Sequence, residues 1–157
     1  MSEILEEEWH HKRVYGNAKE ADPEEFAQFL AALCYHKRNK ADPFYFESVL
    51  AGVRNGKKSL HYVDLYGNKF SDRYIATSFA RMIAPPIIDA RHNEDISANE
   101  AKAIAVECFK AIIARYKLSV KAVSLVLVTE DGVFEDSVNV EVKYDYEAWI
   151  HKEEFLG

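Results

Sequence analysis

The stretch HYVDLYGNKFSDRYIATSFARMIAPPII, residues 61–88, decides the fold of this chain. Its first six residues are typical of a β-strand, and Gly67-Asn68 supplies the backbone freedom that a tight hairpin turn needs. A short extended piece follows, and helically spaced apolar side chains then predict a helix over residues 74–84. Pro85-Pro86 removes two amide donors, so we expect the helix to end or kink there.

Two more dipeptides predict β-hairpins outside this stretch. Asn55-Gly56 lies between SVLAGVR and KKSLHYVDL, and Asp131-Gly132 lies between AVSLVLVTE and VFEDSVNVEV. Both dipeptides supply the positive φ angles of tight hairpins. Residues 123–128 are apolar on both faces, which predicts a central, covered strand. In the last predicted strand, valines alternate with polar residues, so one of its faces should be exposed to water.

Capping residues mark the starts of two helices. Asp22 can accept hydrogen bonds from free backbone amides and Pro23 suits the first helical position, so a helix should run from there to about Lys40. Ser97 and Glu100 match the capping box. The broad apolar stripe that follows them predicts a second helix, buried against a sheet or another helix.

The predicted elements occur in segregated runs. Two helices come first, one of them over residues 3–14, and strands, two helices and further strands follow. Segregated runs favour the α+β class over a wound parallel sheet. Because antiparallel strands need their apolar faces covered, we expect four layers in the order helix, sheet, sheet and helix.

Length and composition argue against several classes of protein. A chain of 157 residues, 48% of them apolar, suits one domain with a packed core. No apolar run approaches the roughly 18 residues of a membrane span, and the acidic N-terminus has no apolar signal core. The net charge of −6 argues against a general nucleic-acid binder. We interpret the basic residues 36–40 as a helix end, where cations interact favourably with the helix dipole.

No cofactor or metal site is predicted. Cys34 and Cys108 fall among apolar residues of predicted helices without a CxxC partner, so we expect two buried, reduced thiols. His10 and His11 point to different sides of a predicted helix, whereas helical metal ligands converge at positions i and i+4. The chain contains neither a Walker loop nor a Rossmann glycine pattern.

Three hydroxyls are candidate nucleophiles. Thr77 and Ser78 lie where a helix is predicted to begin, and capping explains hydroxyls at that place. Removal of Met1 would expose Ser2, and an N-terminal nucleophile uses its own α-amine as the base. Ser2 precedes an acidic predicted helix instead of a strand that could hold the amine, which favours a cap. Since no histidine or carboxylate has the local spacing of an activated triad, we predict no catalytic residue.

The C-terminal segment YDYEAWIHKEEFLG, residues 144–157, is rich in aromatic and apolar groups for a chain end. Such groups are over-represented at the centres of protein interfaces. The segment either packs on the chain's own helices or forms an interaction tail. The candidate interface residues are Tyr144, Tyr146, Trp149, Ile150 and Phe155.

Several motifs in combination resemble the C-terminal larger share of a proteasome beta-type subunit, and among these the non-catalytic type-4 subunit. Tyr62-Val63-Asp64-Leu65-Tyr66-Gly67 is similar to a Tyr-Val-Asp-Met-Leu-Gly strand and turn, and Ala76-Thr77-Ser78 to an Ala-Thr-Gly helix entry. The basic helix end before Asp42-Pro43-Phe44, the helix exit Pro86-Ile87-Ile88 and the late hairpin at residues 129–133 also resemble family motifs. The resemblance covers most of the chain and is best over residues 42–142.

The chain departs from the family pattern where the chemistry of active members lies. Ser78 replaces a glycine, and Tyr116 stands where many members place an aspartate near the nucleophile, although Ser119 matches the serine that follows. The N-terminal strands that carry the nucleophilic threonine of active members have no counterpart here. We therefore expect an N-terminally incomplete sandwich of the N-terminal-nucleophile hydrolase type. With unpaired sheet edges, the isolated chain should aggregate or pack loosely.

The resemblance implies one proteasome-beta-like domain over residues 1–157, with residues 144–157 reaching neighbouring subunits. It implies a structural, non-catalytic beta subunit of the 20S core particle, which serves ring assembly and ATP/ubiquitin-dependent protein degradation in the cytoplasm and nucleus. Its partners would be other alpha and beta subunits and assembly chaperones, with no nucleic acid, membrane or cofactor. Two alternatives remain: an active N-terminal-threonine hydrolase subunit whose catalytic segment is missing from this sequence, and a free-standing α+β binding protein.

Overall fold

The computed structural model describes residues 22–93 and 96–143. The chain divides into two compact units, residues 1–75 and residues 76–157. In the described part, the first unit holds one helix and three strands, and the second holds two helices and two strands. All strand pairs are antiparallel. Helices and antiparallel strands in separate runs confirm the α+β class.

The sheet of the first unit has the order β1-β2-β3 and is built by two hairpins. Its strands are β1 (Glu47–Arg54), β2 (Lys57–Asp64) and β3 (Lys69–Ser71). The first hairpin turns at Asn55 and Gly56, whose φ angles are 50° and 73°. Two successive positive φ angles match the right-handed twist of the flanking strands, so the prediction from this dipeptide is confirmed.

Helix α1 (Pro23–Asn39) covers one face of this sheet. The Asp22 carboxylate accepts a hydrogen bond from the Glu24 backbone N–H at 3.0 Å, and Pro23 occupies the first helical position, so the predicted start is confirmed. The helix ends one residue before Lys40, as predicted, with His36, Lys37 and Arg38 in its last turn. Its buried face and the fully buried Val63 of β2 form one core, made of Ala27, Leu30, Ala31, Cys34 and Val63.

The β2–β3 turn passes directly beneath α1. The backbone carbonyl of Asp64 accepts from the Gly67 N–H at 3.1 Å, and its carboxylate accepts from the Tyr66 and Asn68 N–H groups, each at 2.9 Å. Gly67 has a φ of 82°, and a Cβ atom there would lie 2.7 Å from the Ala31 carbonyl oxygen. The predicted hairpin is confirmed, but its turn begins at Leu65, and of the predicted dipeptide only Gly67 has a positive φ angle. The absence of a side chain at Gly67 lets the helix approach the turn.

The second unit contains α2 (Ala80–Asp89), α3 (Ala98–Tyr116), β4 (Ala122–Thr129) and β5 (Gly132–Asn139). The two helices pack together around Ala84, Ile104 and Cys108. The predicted capping box is confirmed, because the Ser97 N–H donates to the Glu100 carboxylate at 3.0 Å and the Glu100 N–H donates to Ser97 Oγ at 3.3 Å. Hydrogen bonds from Ser97 lower the pKa of the Glu100 carboxyl.

The predicted bounds of α2 are wrong at both ends. The helix begins at Ala80, since Ser78 has a φ of 50° and cannot belong to a right-handed helix. It continues through Pro85 and Pro86 to Asp89. Because proline has no N–H, two carbonyl oxygens four residues earlier receive no helical hydrogen bond. They belong to the exposed first turn, where water can donate to them instead. The helical spacing of Ala80, Ala84, Ile87 and Ile88 is the sequence signal that could have predicted the longer helix.

The prediction that residues 123–128 form a central, covered strand is wrong. Within residues 96–143, β4 pairs only with β5, and Val126 is 59% exposed. The turn of this hairpin also lies one residue earlier than predicted, because Glu130 and Asp131 form it and Gly132 already pairs with Thr129. Apolar residues on both faces of β4 predict that both faces are covered, but the described residues leave them exposed.

None of the helices between residues 22 and 143, leaving out 94–95, has both the length and the apolar character that crossing a membrane requires. The helix predicted over residues 3–14 lies outside the described residues.

Candidate functional site

A polar cluster surrounds His61 in the first unit. The His61 ring is 3% exposed on β2, and its Nδ1 atom lies 2.6 Å from Ser71 Oγ and 3.3 Å from Glu24 Oε2. Ser71 ends β3, and Glu24 belongs to the first turn of α1. Glu24 also forms an ion pair with Lys69 of β3. The cluster therefore joins the start of α1 to two strands of the sheet.

A charged carboxylate and a hydroxyl face the same nitrogen of His61. The hydrogen bond from Lys69 lowers the pKa of Glu24, and His61 lowers it further, so the carboxylate is charged at neutral pH. Nδ1 of His61 faces this carboxylate as well as the Ser71 hydroxyl. The other ring nitrogen, Nε2, is buried and has no hydrogen-bond partner among the described residues.

The arrangement is not that of a catalytic triad. In a triad, one histidine nitrogen takes the proton of the nucleophile while the other nitrogen is held by a carboxylate. Here Ser71 and Glu24 both lie on Nδ1. The carboxylate therefore does not hold the ring nitrogen opposite the hydroxyl, as it does in a triad. The cluster links the start of α1 to the sheet.

An open cleft of about 980 Å³ lies beside this cluster. One of its sides carries the acidic start of α1 with Glu24 and Glu25, and the β1–β2 hairpin contributes Lys57 and Lys58. Its mixed charges favour no single class of ligand. In residues 22–93 and 96–143, no three His, Cys, Asp or Glu side chains converge as metal ligands do.

Thr77 and Ser78 lie next to each other in the segment before α2. The N-cap position of α2 is Phe79, which makes no side-chain capping bond, so the prediction that these hydroxyls cap the helix is wrong. Their backbone carbonyls act instead, because the Ala80 N–H donates to Thr77 O at 3.1 Å and the Arg81 N–H donates to Ser78 O at 3.2 Å. The left-handed conformation of Ser78 turns the chain just before the helix. This turn explains why backbone carbonyls, and not the side-chain hydroxyls, accept the hydrogen bonds from the first turn.

Tyr116 packs as an aromatic residue where the family resemblance places an aspartate. Its ring lies 4.5 Å from the Phe79 ring, centroid to centroid, at an interplanar angle of 37°. Such tilted aromatic pairs stabilise packing. Tyr116 thus fastens the end of α3 to the segment that precedes α2, while Ser119 lies exposed after the helix.

The two cysteines are free and buried, as predicted from their apolar neighbours. Burial raises the pKa of the Cys34 and Cys108 thiols, and nearby Asp64 and Glu107 respectively raise it further. A raised pKa keeps a thiol protonated and unreactive at neutral pH. Both cysteines therefore act as core residues.

The predicted interface residues and Ser2 lie outside the described part of the chain, as do His10 and His11. The candidate interface residues are Tyr144, Tyr146, Trp149, Ile150 and Phe155. The structure brings together His61, Ser71 and Glu24, and the sequence analysis did not predict that these residues lie close to one another. Nothing in their spacing could have connected them, because they meet through the pairing of β2 with β3 and the packing of α1 on the sheet.

Comparisons with known proteins agree on one family. The model of the proteasome subunit family matches residues 1–128. The chain is 28% identical over 120 residues to proteasome subunit beta type-4 of Arabidopsis thaliana, covering 76% of this chain and 49% of the relative. It is 30% identical over 112 residues to beta type-4 of Dictyostelium discoideum, covering 70% and 43%.

An archaeal relative shows a similar match. Proteasome subunit beta 2 of Pyrobaculum neutrophilum is 32% identical over 116 residues, which cover 74% of this chain and 56% of the relative. The chain spans about half the length of the curated relatives it matches. Because the family model matches most of the chain and the relatives are beta subunits, the chain belongs to the proteasome subunit family and resembles its beta-type members.

Proposed function

We propose that this chain is a structural, non-catalytic beta subunit of the 20S proteasome core particle. Its role is assembly: it occupies one position in a beta ring, forms part of the chamber wall and contacts neighbouring alpha and beta subunits. The particle's threonine-type peptidase activity belongs to other subunits. Through the particle, the chain serves ATP- and ubiquitin-dependent protein degradation in the cytoplasm and nucleus, with assembly chaperones as transient partners.

The similarity to beta type-4 subunits from different organisms is the observation that carries this proposal. The packing of Tyr116 supports it, since an aromatic ring on Phe79 occupies a position where the family resemblance places a carboxylate near the nucleophile. The geometry around His61 also supports it, because Ser71 and Glu24 share one ring nitrogen. Neither arrangement favours an activated hydroxyl.

The family's N-terminal-nucleophile hydrolase fold suggests how the strands are covered in the particle. We infer a single four-layer domain in which both sheets are packed between helices. Exposed apolar side chains on the β4–β5 hairpin support this inference, because exposed patches of this kind mark surfaces that another segment or chain covers. These side chains are Val126, Leu127, Val133 and Phe134.

Labelling with a hydroxyl-directed electrophilic peptide probe tests whether this chain is catalytic. The tagged chain should stay unlabelled after the probe has reacted to completion with the particle that contains it, since a non-catalytic subunit has no activated hydroxyl. Intact-mass measurement of the tagged chain gives the result, and labelling of other chains in the same fraction is the positive control. Stoichiometric labelling of Ser2 would instead assign an N-terminal nucleophile to this chain.

A further inference from the structure

Basic and aromatic side chains meet on the surface of the first unit, at the end of α1. The Arg38 guanidinium carbon lies 5.7 Å from the centre of the Tyr35 ring and 5.8 Å from the centre of the Tyr66 ring. Tyr35 is 54% exposed and Tyr66 is 52% exposed. Lys40 caps the same helix end. These four residues, Tyr35, Arg38, Lys40 and Tyr66, form the basic tyrosine patch.

The two cations of the patch are not neutralised by the part of the chain that the structure describes. Lys37 nearby pairs with Asp42 at 2.9 Å, but neither Arg38 nor Lys40 has a described carboxylate within ion-pairing distance. The helix dipole stabilises both cations without occupying their N–H donors. The carboxylate of Asp64, in the adjacent turn, accepts from Tyr66 and Asn68 instead. Among the described residues, the patch therefore presents positive charge without a paired carboxylate, on a chain whose net charge is −6.

Arg38 is held ready to bind a carboxylate. Its contacts with the two rings restrict the guanidinium, and Nη1 donates to the Tyr66 carbonyl oxygen at 3.5 Å, which is a long hydrogen bond. The remaining donors have no partner among the described residues. A restricted guanidinium loses less conformational entropy when it forms the two parallel hydrogen bonds that a carboxylate accepts.

The patch fits a protein segment better than a nucleic acid. Nucleic-acid binding depends on many phosphate contacts, whereas this patch supplies two cations on a chain with a net charge of −6. Tyrosine and arginine are among the residues enriched at the energetic centres of protein interfaces. A segment with one or two carboxylates beside an apolar side chain would pair with Arg38 and Lys40 and pack on the tyrosine rings.

We propose that the basic tyrosine patch docks an acidic segment of a neighbouring subunit. This inference rests on the proposed function, because it takes the partner from the same particle. Beyond the proposed function, it names the surface of this chain that binds a neighbour. It also names the kind of segment, an acidic one, that the neighbour places there.

Carbodiimide cross-linking in fresh cell extract tests the docking directly, because this reagent joins amines to carboxylates that are already in contact. The Lys40 amine of the tagged chain should be linked to an Asp or Glu of another subunit in the large-particle fraction, identified by mass spectrometry. The charge reversal Arg38→Glu should lower the fraction of tagged chain in that particle by about tenfold, since it places like charges together. Arg38→Lys should give an intermediate loss of incorporation, because lysine keeps the charge but lacks the planar guanidinium that can form two parallel hydrogen bonds with a carboxylate.

The matched control is Lys58→Glu, which makes the same charge change at an exposed position of the first unit outside the patch. It should leave the fraction in the particle within about twofold of the original chain, as expected for an exposed charge. If Arg38→Glu fails to fold, the Lys40 cross-link in the unmodified chain still decides the question.

The outcomes separate this inference from the proposed function. An unmodified chain in the particle, without Lys40 cross-links and with equal incorporation of Arg38→Glu, would overturn the docking alone. An unmodified chain outside the particle would overturn both. Release of the chain from its partner by nuclease would assign the patch to a nucleic acid and contradict the inference.

Discussion

Gly67→Ala should destabilise the first unit by about 2–5 kcal/mol. Gly67 has a φ of 82°, and a left-handed conformation costs a residue with a side chain roughly 1–2 kcal/mol. A Cβ atom would also lie 2.7 Å from the Ala31 carbonyl oxygen and 2.8 Å from Tyr35 Cβ. Because the first of these atoms belongs to the backbone of α1, the helix itself would have to move off the turn.

The matched control is Gly56→Ala in the β1–β2 turn. Gly56 also has a positive φ, 73°, but a Cβ atom there would meet nothing within 4 Å. This change should therefore lower the free energy of unfolding only by the cost of the left-handed conformation, about 1 kcal/mol. Pulse proteolysis of the tagged chain along a urea series measures both variants. Equal losses would contradict the close packing of α1 over the β2–β3 turn.

Deletion of residues 144–157 should lower incorporation into the particle by about tenfold or more, with a much smaller effect on folding. The prediction rests on the aromatic content of this segment, which lies outside the described residues. The described structure indicates why folding should survive. Val140 is fully buried and its N–H donates to the Lys121 carbonyl oxygen at 2.8 Å, so the chain is fastened before the deletion begins.

Two point variants refine this deletion. Trp149→Ala removes the largest aromatic group of the segment and should reproduce much of the loss, as expected for an interface anchor. Lys152→Ala changes a polar residue of the same segment and should have little effect. Incorporation is measured as the ratio of variant to co-expressed original chain in the particle fraction. A ratio near one for the deletion would contradict the prediction that residues 144–157 bind other subunits.

Features with local causes could be predicted from the sequence. Asp22 and Ser97 cap their helices through hydrogen bonds to residues two or three positions away, so both helix starts were correct. The Asn55-Gly56 turn was correct for the same reason, since its conformation depends on the two residues themselves. The α+β class followed from the order of such elements.

Features that depend on distant residues or on unusual backbone conformations could not be predicted. The left-handed conformation of Ser78 delays the start of α2, and propensity rules do not expect it at a serine. Pro85 and Pro86 predict a helix end or a kink, but the exposure of the preceding turn lets both prolines lie inside the helix. His61 meets Ser71 and Glu24 only because β2, β3 and α1 pack together.

The elution size of the C-terminally tagged chain in fresh cell extract tests whether the chain is a subunit of the proteasome. We expect the chain to co-elute with a large particle that has threonine-peptidase activity, together with other proteasome subunits identified by peptide mapping. Elution solely as a small species, separated from that activity, would contradict the account and favour a free-standing binding protein.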